Sequence, residues 1–130
     1  MIRRLLRCGK GTASVELALT LLPLLMMAFG AVEFGRALWI RHGLSNAAAA
    51  GERMLLLSTD PLSREAAVAA ERRIRTVAGM DSDMLSVTIL PSAWDGGQMV
   101  VLQIRYPVSL LLPAVRNVPL TLSVERAIPL

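Results

Sequence analysis

Leu17 to Val32 is an apolar run without a single charge, and it constrains this chain more than any other feature. Directly before it stands Glu16, and before that a short basic head, MIRRLLRCGKG-TASVE. An ionisable side chain at the lip of a hydrophobic helix is unfavourable, so its presence points to a function and a partner. Gly11 lies five positions ahead of Glu16. That spacing points both to a cleavage site and to an assembly contact.

At about 1.5 Å per residue the run reaches about 24 Å, short of the roughly 30 Å hydrocarbon core of a bilayer. Extended from Val15 to Phe34 it gives about twenty residues, enough to cross, and sets Glu16 and Glu33 near the two interfaces. Arg36, Trp39, Arg41 and His42 follow as an interfacial belt. Glu33 and Arg36 are spaced i, i+3 and can form an interfacial pair on the helix surface. Pro23 interrupts the run, removing one helical hydrogen bond. It is either a bend used in assembly or a kink of the kind membrane helices tolerate.

The net charge of +4 invites a nucleic-acid reading, but its location opposes it. Arg3, Arg4, Arg7 and Lys10 account for all of it, and from Thr12 onward ten basic residues meet ten acidic ones. Two Phe, two Trp and one Tyr provide no aromatic and basic platform for bases. Basic residues ahead of a span instead stay in the cytoplasm. The expected topology is N-terminus in, C-terminal body outside. About a hundred residues remain for that body, so its core is thin.

Three processing fates compete for the head. A secretory signal peptide is cut after its apolar stretch and behind small residues, and GAVEFGRALW offers only a poor site. A lipoprotein would use Cys8, the sole cysteine, yet Arg7 precedes it and no apolar stretch lies upstream. Cys8 reads instead as a reduced cytoplasmic thiol. Cleavage ahead of the apolar run, after Gly11, fits best.

A helix from Thr12 to about Leu57 far exceeds the usual globular length and marks a membrane or assembly helix. Asn46–Gly51 is rich in small residues, suited either to close approach by another element or to plain helix propensity. Asp60 as N-cap and Pro61 at the first position open a second helix. Its apolar stripe is Ala67, Ala70, Ile74 and Val77, and Gly79 ends it. Arg64, Glu65, Glu71, Arg72, Arg73 and Arg75 form a solvated face.

After Asp81 the period falls to two. Leu85, Val87 and Ile89 mark one strand, Trp94-Asp95-Gly96-Gly97 a turn, and Gln98–Tyr106 a second strand with Val100, Leu102, Ile104 and Tyr106 on one face. Pro107 is expected to stop that strand. Leu110-Leu111-Leu112-Pro113 is a greasy connection that packs on the long helix or touches the membrane. Pro119 opens a third strand with Leu120, Leu122 and Val124 alternating. The fold class is therefore α+β: a long N-terminal transmembrane helix, a second helix and about three antiparallel strands.

No catalytic constellation emerges, so the chain does not read as an enzyme and no cofactor is implied. His42 and Cys8 are each the sole residue of their kind, too few for a zinc site. Asp81, Asp83 and Asp95 do not follow a calcium-loop pattern. Neither a P-loop, a dinucleotide fingerprint nor a nucleophile elbow is present.

The ordered set of motifs resembles a known family. Gly11 with Glu16, the Leu-rich stretch with Pro23, Val32-Glu33-Phe34-Gly35-Arg36, and the small-residue helix ending in Glu52-Arg53 are similar to TadE-like proteins of tight-adherence (Flp, type IVb) pili. The tail resembles them too, with Tyr106-Pro107, Pro113 and a final Thr/Ser-bearing strand. The resemblance implies a pilin-like division: a basic leader over 1–11, a long helix over 12–57 with its transmembrane part at 15–34, and an extracytoplasmic domain over 58–130. It implies a minor pilin or pseudopilin that takes part in pilus assembly in the bacterial inner membrane, with a periplasmic body. Gly11 then holds the position before the scissile bond, Thr12 becomes the new N-terminus, and Glu16 sets register between packed subunits. Implied partners are an aspartic-type prepilin peptidase, a TadF-like sister subunit, an inner-membrane platform, a cytoplasmic ATPase and membrane lipid. Whether such a subunit enters the fibre, caps its tip or stays in the membrane is open at this point. The alternative is an uncleaved single-pass envelope protein whose outer domain binds a ligand or protein.

Overall fold

The computed structural model describes residues 10–81, 83–94, 96–110 and 120–130. Cys8 and most of the basic head, Asp95, and the connection from Leu111 to Pro119 lie outside the described residues. The elements run α1 (Lys10–Leu56), α2 (Arg64–Ala78), β1 (Ser86–Trp94), β2 (Gly97–Val108) and β3 (Leu120–Pro129). This is the expected α+β arrangement. The chain divides into two compact units, Met1–Gly35 and Arg36–Leu130.

In the first unit α1 is helical from Lys10 and runs unbroken through Pro23. Its apolar side chains are uncovered: Leu19 is 70% and Leu25 44% exposed. Burial within the chain thus contributes little to this stretch.

In the second unit the same helix carries a covered face. Ile40, Leu44, Ala47, Ala48 and Leu55 are buried, all joining one core with residues of α2 and the sheet. Gly51 belongs to that face, and a side-chain carbon there would lie 2.6 Å from both Cγ1 and Cδ1 of Ile74. The small-residue run therefore serves close approach, with α2 as the neighbour.

α2 starts later than its sequence predicts. The Asp60 carboxylate accepts from the Leu62 amide at 3.1 Å, while the Asp60 carbonyl accepts from the Ser63 hydroxyl at 2.8 Å. Asp60 thus builds the turn ahead of the helix. Ser63 is the N-cap, its hydroxyl accepting from the Ala66 amide at 3.2 Å. The buried stripe is Ala66, Ala70, Ile74 and Ala78, a strict i+4 row. Val77 from the expected stripe is exposed. Gly79 closes the helix at φ 59°, as expected. Of the charged face, Glu71 and Arg75 pair at 2.8 Å, and Arg75 also donates to the Leu85 carbonyl at 3.2 Å.

The sheet is a meander of order β1-β2-β3, antiparallel throughout. Trp94 pairs with Gly97, placing the hairpin where the turn residues predicted it. Val100, Leu102 and Ile104 of β2 are buried in alternation, as predicted. Pro107 does not stop β2, which continues to Val108 with Pro107 opposite Thr121. The ladder with β1 ends at the Ser86–Arg105 pair. At Pro107 the strand therefore has one neighbour, and a missing N–H is tolerated as on an edge.

Candidate processing and assembly segment

Gly11, Thr12 and Glu16 all lie in the first turns of α1, which begins at Lys10. Thr12 and Glu16 are one helical turn apart and so share a face. Glu16 is exposed, and its carbonyl accepts from the Thr20 hydroxyl at 2.9 Å. Pro23 follows within the same helix, where it removes the donor to the Leu19 carbonyl. From Thr12, α1 is long and apolar enough to cross a membrane, and none of its apolar window is buried. Such a helix is compatible with a single-pass anchor.

Glu33 is half-buried and stands three positions before Arg36 on α1. The Arg36 guanidinium donates to the Ser109 carbonyl, just beyond β2. This contact has no periodic signature in the sequence. Trp39, one turn on, is 69% exposed, and Arg41 and His42 are exposed as well.

A second tie was legible but missed. β3 alternates Leu120, Leu122, Val124, Arg126 and Ile128 on the face that meets the core, so Arg126 is a cation in an apolar row. It stands opposite Leu102. A charge there requires a partner, and Glu52 of α1 supplies one at 2.6 Å. Glu52 belongs to the motif set read from the sequence, which assigned it no role.

Among the described residues no three His, Cys, Asp or Glu side chains gather into a potential metal site. Arg64, Glu65, Val68, Ala69 and Arg72 line an open depression of about 500 Å³ on α2. Its lining is mixed and charged, without a convergent polar set of the kind that orients a small ligand.

These features define a class: an α+β protein with one membrane-compatible helix, whose later turns carry a three-stranded sheet. Residues 11–53 match the model of a family described as TadE-like protein, and over that stretch the chain is similar to TadE-like proteins. The match takes in Gly11, Glu16, Pro23, Glu33 and Arg36 and stops ahead of α2 and the sheet. No curated protein and no solved structure matches the chain.

Proposed function

We propose that this chain is a minor pilin or pseudopilin of a tight-adherence pilus, cut after Gly11 by a prepilin peptidase. The observation that carries the reading is the family match, which begins at Gly11 itself, on a helix whose apolar window is uncovered. The first helical turn leaves its amides without intrahelical partners, and glycine weakens a helix by about 0.5–1 kcal/mol. The segment around Gly11 therefore unwinds at low cost for a peptidase.

Cleavage removes Arg3, Arg4, Arg7 and Lys10 and leaves ten basic and ten acidic residues. The freed amine of Thr12 is cationic at neutral pH. Glu16, a turn away, pairs with it or with the amine of a neighbouring subunit, since charges in lipid surroundings persist when paired. The subunit is held in the inner membrane with its body in the periplasm. It works without catalysis, alongside a TadF-like subunit, an assembly platform and its ATPase. A neutral mature chain also gives nucleic acid no electrostatic footing.

Intact-mass measurement on protein expressed with its cognate peptidase tests cleavage. A chain starting at Thr12 supports the proposal. A chain still starting at Met1 overturns it in favour of an uncleaved single-pass anchor, a reading favoured by the helix already beginning at Lys10. Glu16→Ala is expected to abolish piliation while leaving membrane insertion intact, and normal pili in that variant would remove its assembly role.

A further inference from the structure

Antiparallel neighbours alternate between pairs that exchange backbone hydrogen bonds and pairs whose amides and carbonyls point away from each other. One bond fixes the phase in this sheet: the Leu130 amide donates to the Gln98 carbonyl at 3.0 Å. Counting back along the register, Ile128, Arg126, Val124 and Leu122 of β3 exchange bonds with β2. Thr121, Ser123, Glu125 and Ala127 therefore turn their backbone groups to the free side of β3. The prolines agree. Pro129 and Pro107 both fall in pairs that point away, as residues without an N–H must.

The same phase carries through β2 to β1, where Val87, Ile89, Pro91 and Ala93 face the other free side. Pro91 removes a donor from the middle of that edge, a device that blocks strand addition. β3 has no such interruption between Thr121 and Ala127. Its register with β2 is one to one, without a bulge, and among the described residues it has no second strand neighbour. Its inward charge, Arg126, is held by Glu52 at 2.6 Å and does not guard the edge. Leu122 and Val124 are half-buried, whereas Leu102 and Ile104 of β2 are fully buried. Cover over the core row thus stops short at β3.

We propose that the free edge of β3 takes up an antiparallel strand from another polypeptide, apolar at alternate positions and carrying a cation opposite Glu125. Main-chain bonds to Thr121, Ser123, Glu125 and Ala127 supply the affinity. Apolar side chains extend the core over Leu122 and Val124, and the cation pairs across the strands with exposed Glu125. A second copy of this chain does not meet that requirement. The row beside Glu125 on its own β3 holds no cation, and the matching row of β1, Ser86, Thr88, Leu90 and Ser92, holds none either. The edge is independent of cleavage after Gly11 and of α1 as a membrane span.

The test uses the full chain in detergent and a fluorescein-labelled peptide of valine alternating with threonine, with one central lysine, followed by anisotropy. Saturable binding is expected. In an antiparallel addition the threonine and lysine amides face β3 and the valine amides face solvent. N-methylation of the threonine and lysine amides is expected to weaken binding by at least about tenfold, through the lost main-chain bonds. N-methylation of the valine amides is expected to leave binding unchanged. Any other pattern, or no saturable binding, overturns the proposal. Glu125→Lys, at an exposed position that leaves the fold intact, is expected to weaken binding by about tenfold. Replacing the peptide's lysine by glutamate then restores it, and binding indifferent to this exchange overturns the assignment to β3. Binding that weakens as the chain is concentrated would mean that a second copy holds the edge, which also overturns the proposal.

Discussion

α1 is one helix under two regimes. Up to Gly35 its leucines face outward with nothing of their own chain upon them; from Ile40 the helix presents one covered face to α2 and the sheet. Leu25 is 44% exposed and Leu44 fully buried, although both are leucines in a continuous helix. Local propensity is therefore the same and the environment differs. The later half finds its apolar partners within the chain. The earlier half has no such cover among the described residues.

Truncating one leucine in each half is the sharpest way to break the comparison. Leu44→Ala is expected to destabilise the outer domain by about 2–5 kcal/mol, the range for deleting a fully buried leucine. Leu25→Ala is expected to stay within about 0.5 kcal/mol. Urea unfolding of the full chain in detergent, followed by near-ultraviolet circular dichroism, reads both. Equal losses would erase the distinction between the halves.

Next in size is Gly51→Leu. The new side chain meets Ile74, itself fully buried, with Leu102 close behind, and overpacking of this kind costs about 1–3 kcal/mol. An unchanged unfolding midpoint would mean that α1 and α2 separate freely. The smallest effect belongs to Glu52 and Arg126, whose side chains are 30% and 37% exposed. A double-mutant cycle with glutamine at both positions is expected to give a coupling of up to about 1 kcal/mol, reduced by salt. Zero coupling at low salt would make the pair incidental.

Much of this was legible in the sequence because it is periodic. The apolar run, the alternation through Val100, Leu102 and Ile104, the turn at Trp94–Gly97 and the glycine stop at Gly79 each repeat a local rule. What escaped depends on what lies across the fold. Asp60 and Ser63 are both competent caps, and their competition was decided by Asp60 turning its carboxylate to Leu62. Val77 and Ala78 sit side by side on α2, and the strict row from Ala66 selected the smaller. Pro107 continues a strand because β1 is already absent beside it. In the candidate segment, the spacing of Gly11, Thr12 and Glu16 was readable directly, whereas the reach of Arg36 to Ser109 depends on where a distant strand ends.

The strand order carries a consequence for timing. Each ladder joins neighbours in sequence, so the sheet closes only short loops as it forms, and short loops close fast. Docking α1 is different: its tie from Glu52 to Arg126 spans 74 residues. The meander can therefore assemble before the helix finds it. If α1 is the membrane span proposed above, the element that inserts first is the last to have its outer turns covered, and until it docks a finished sheet stands with its apolar side open.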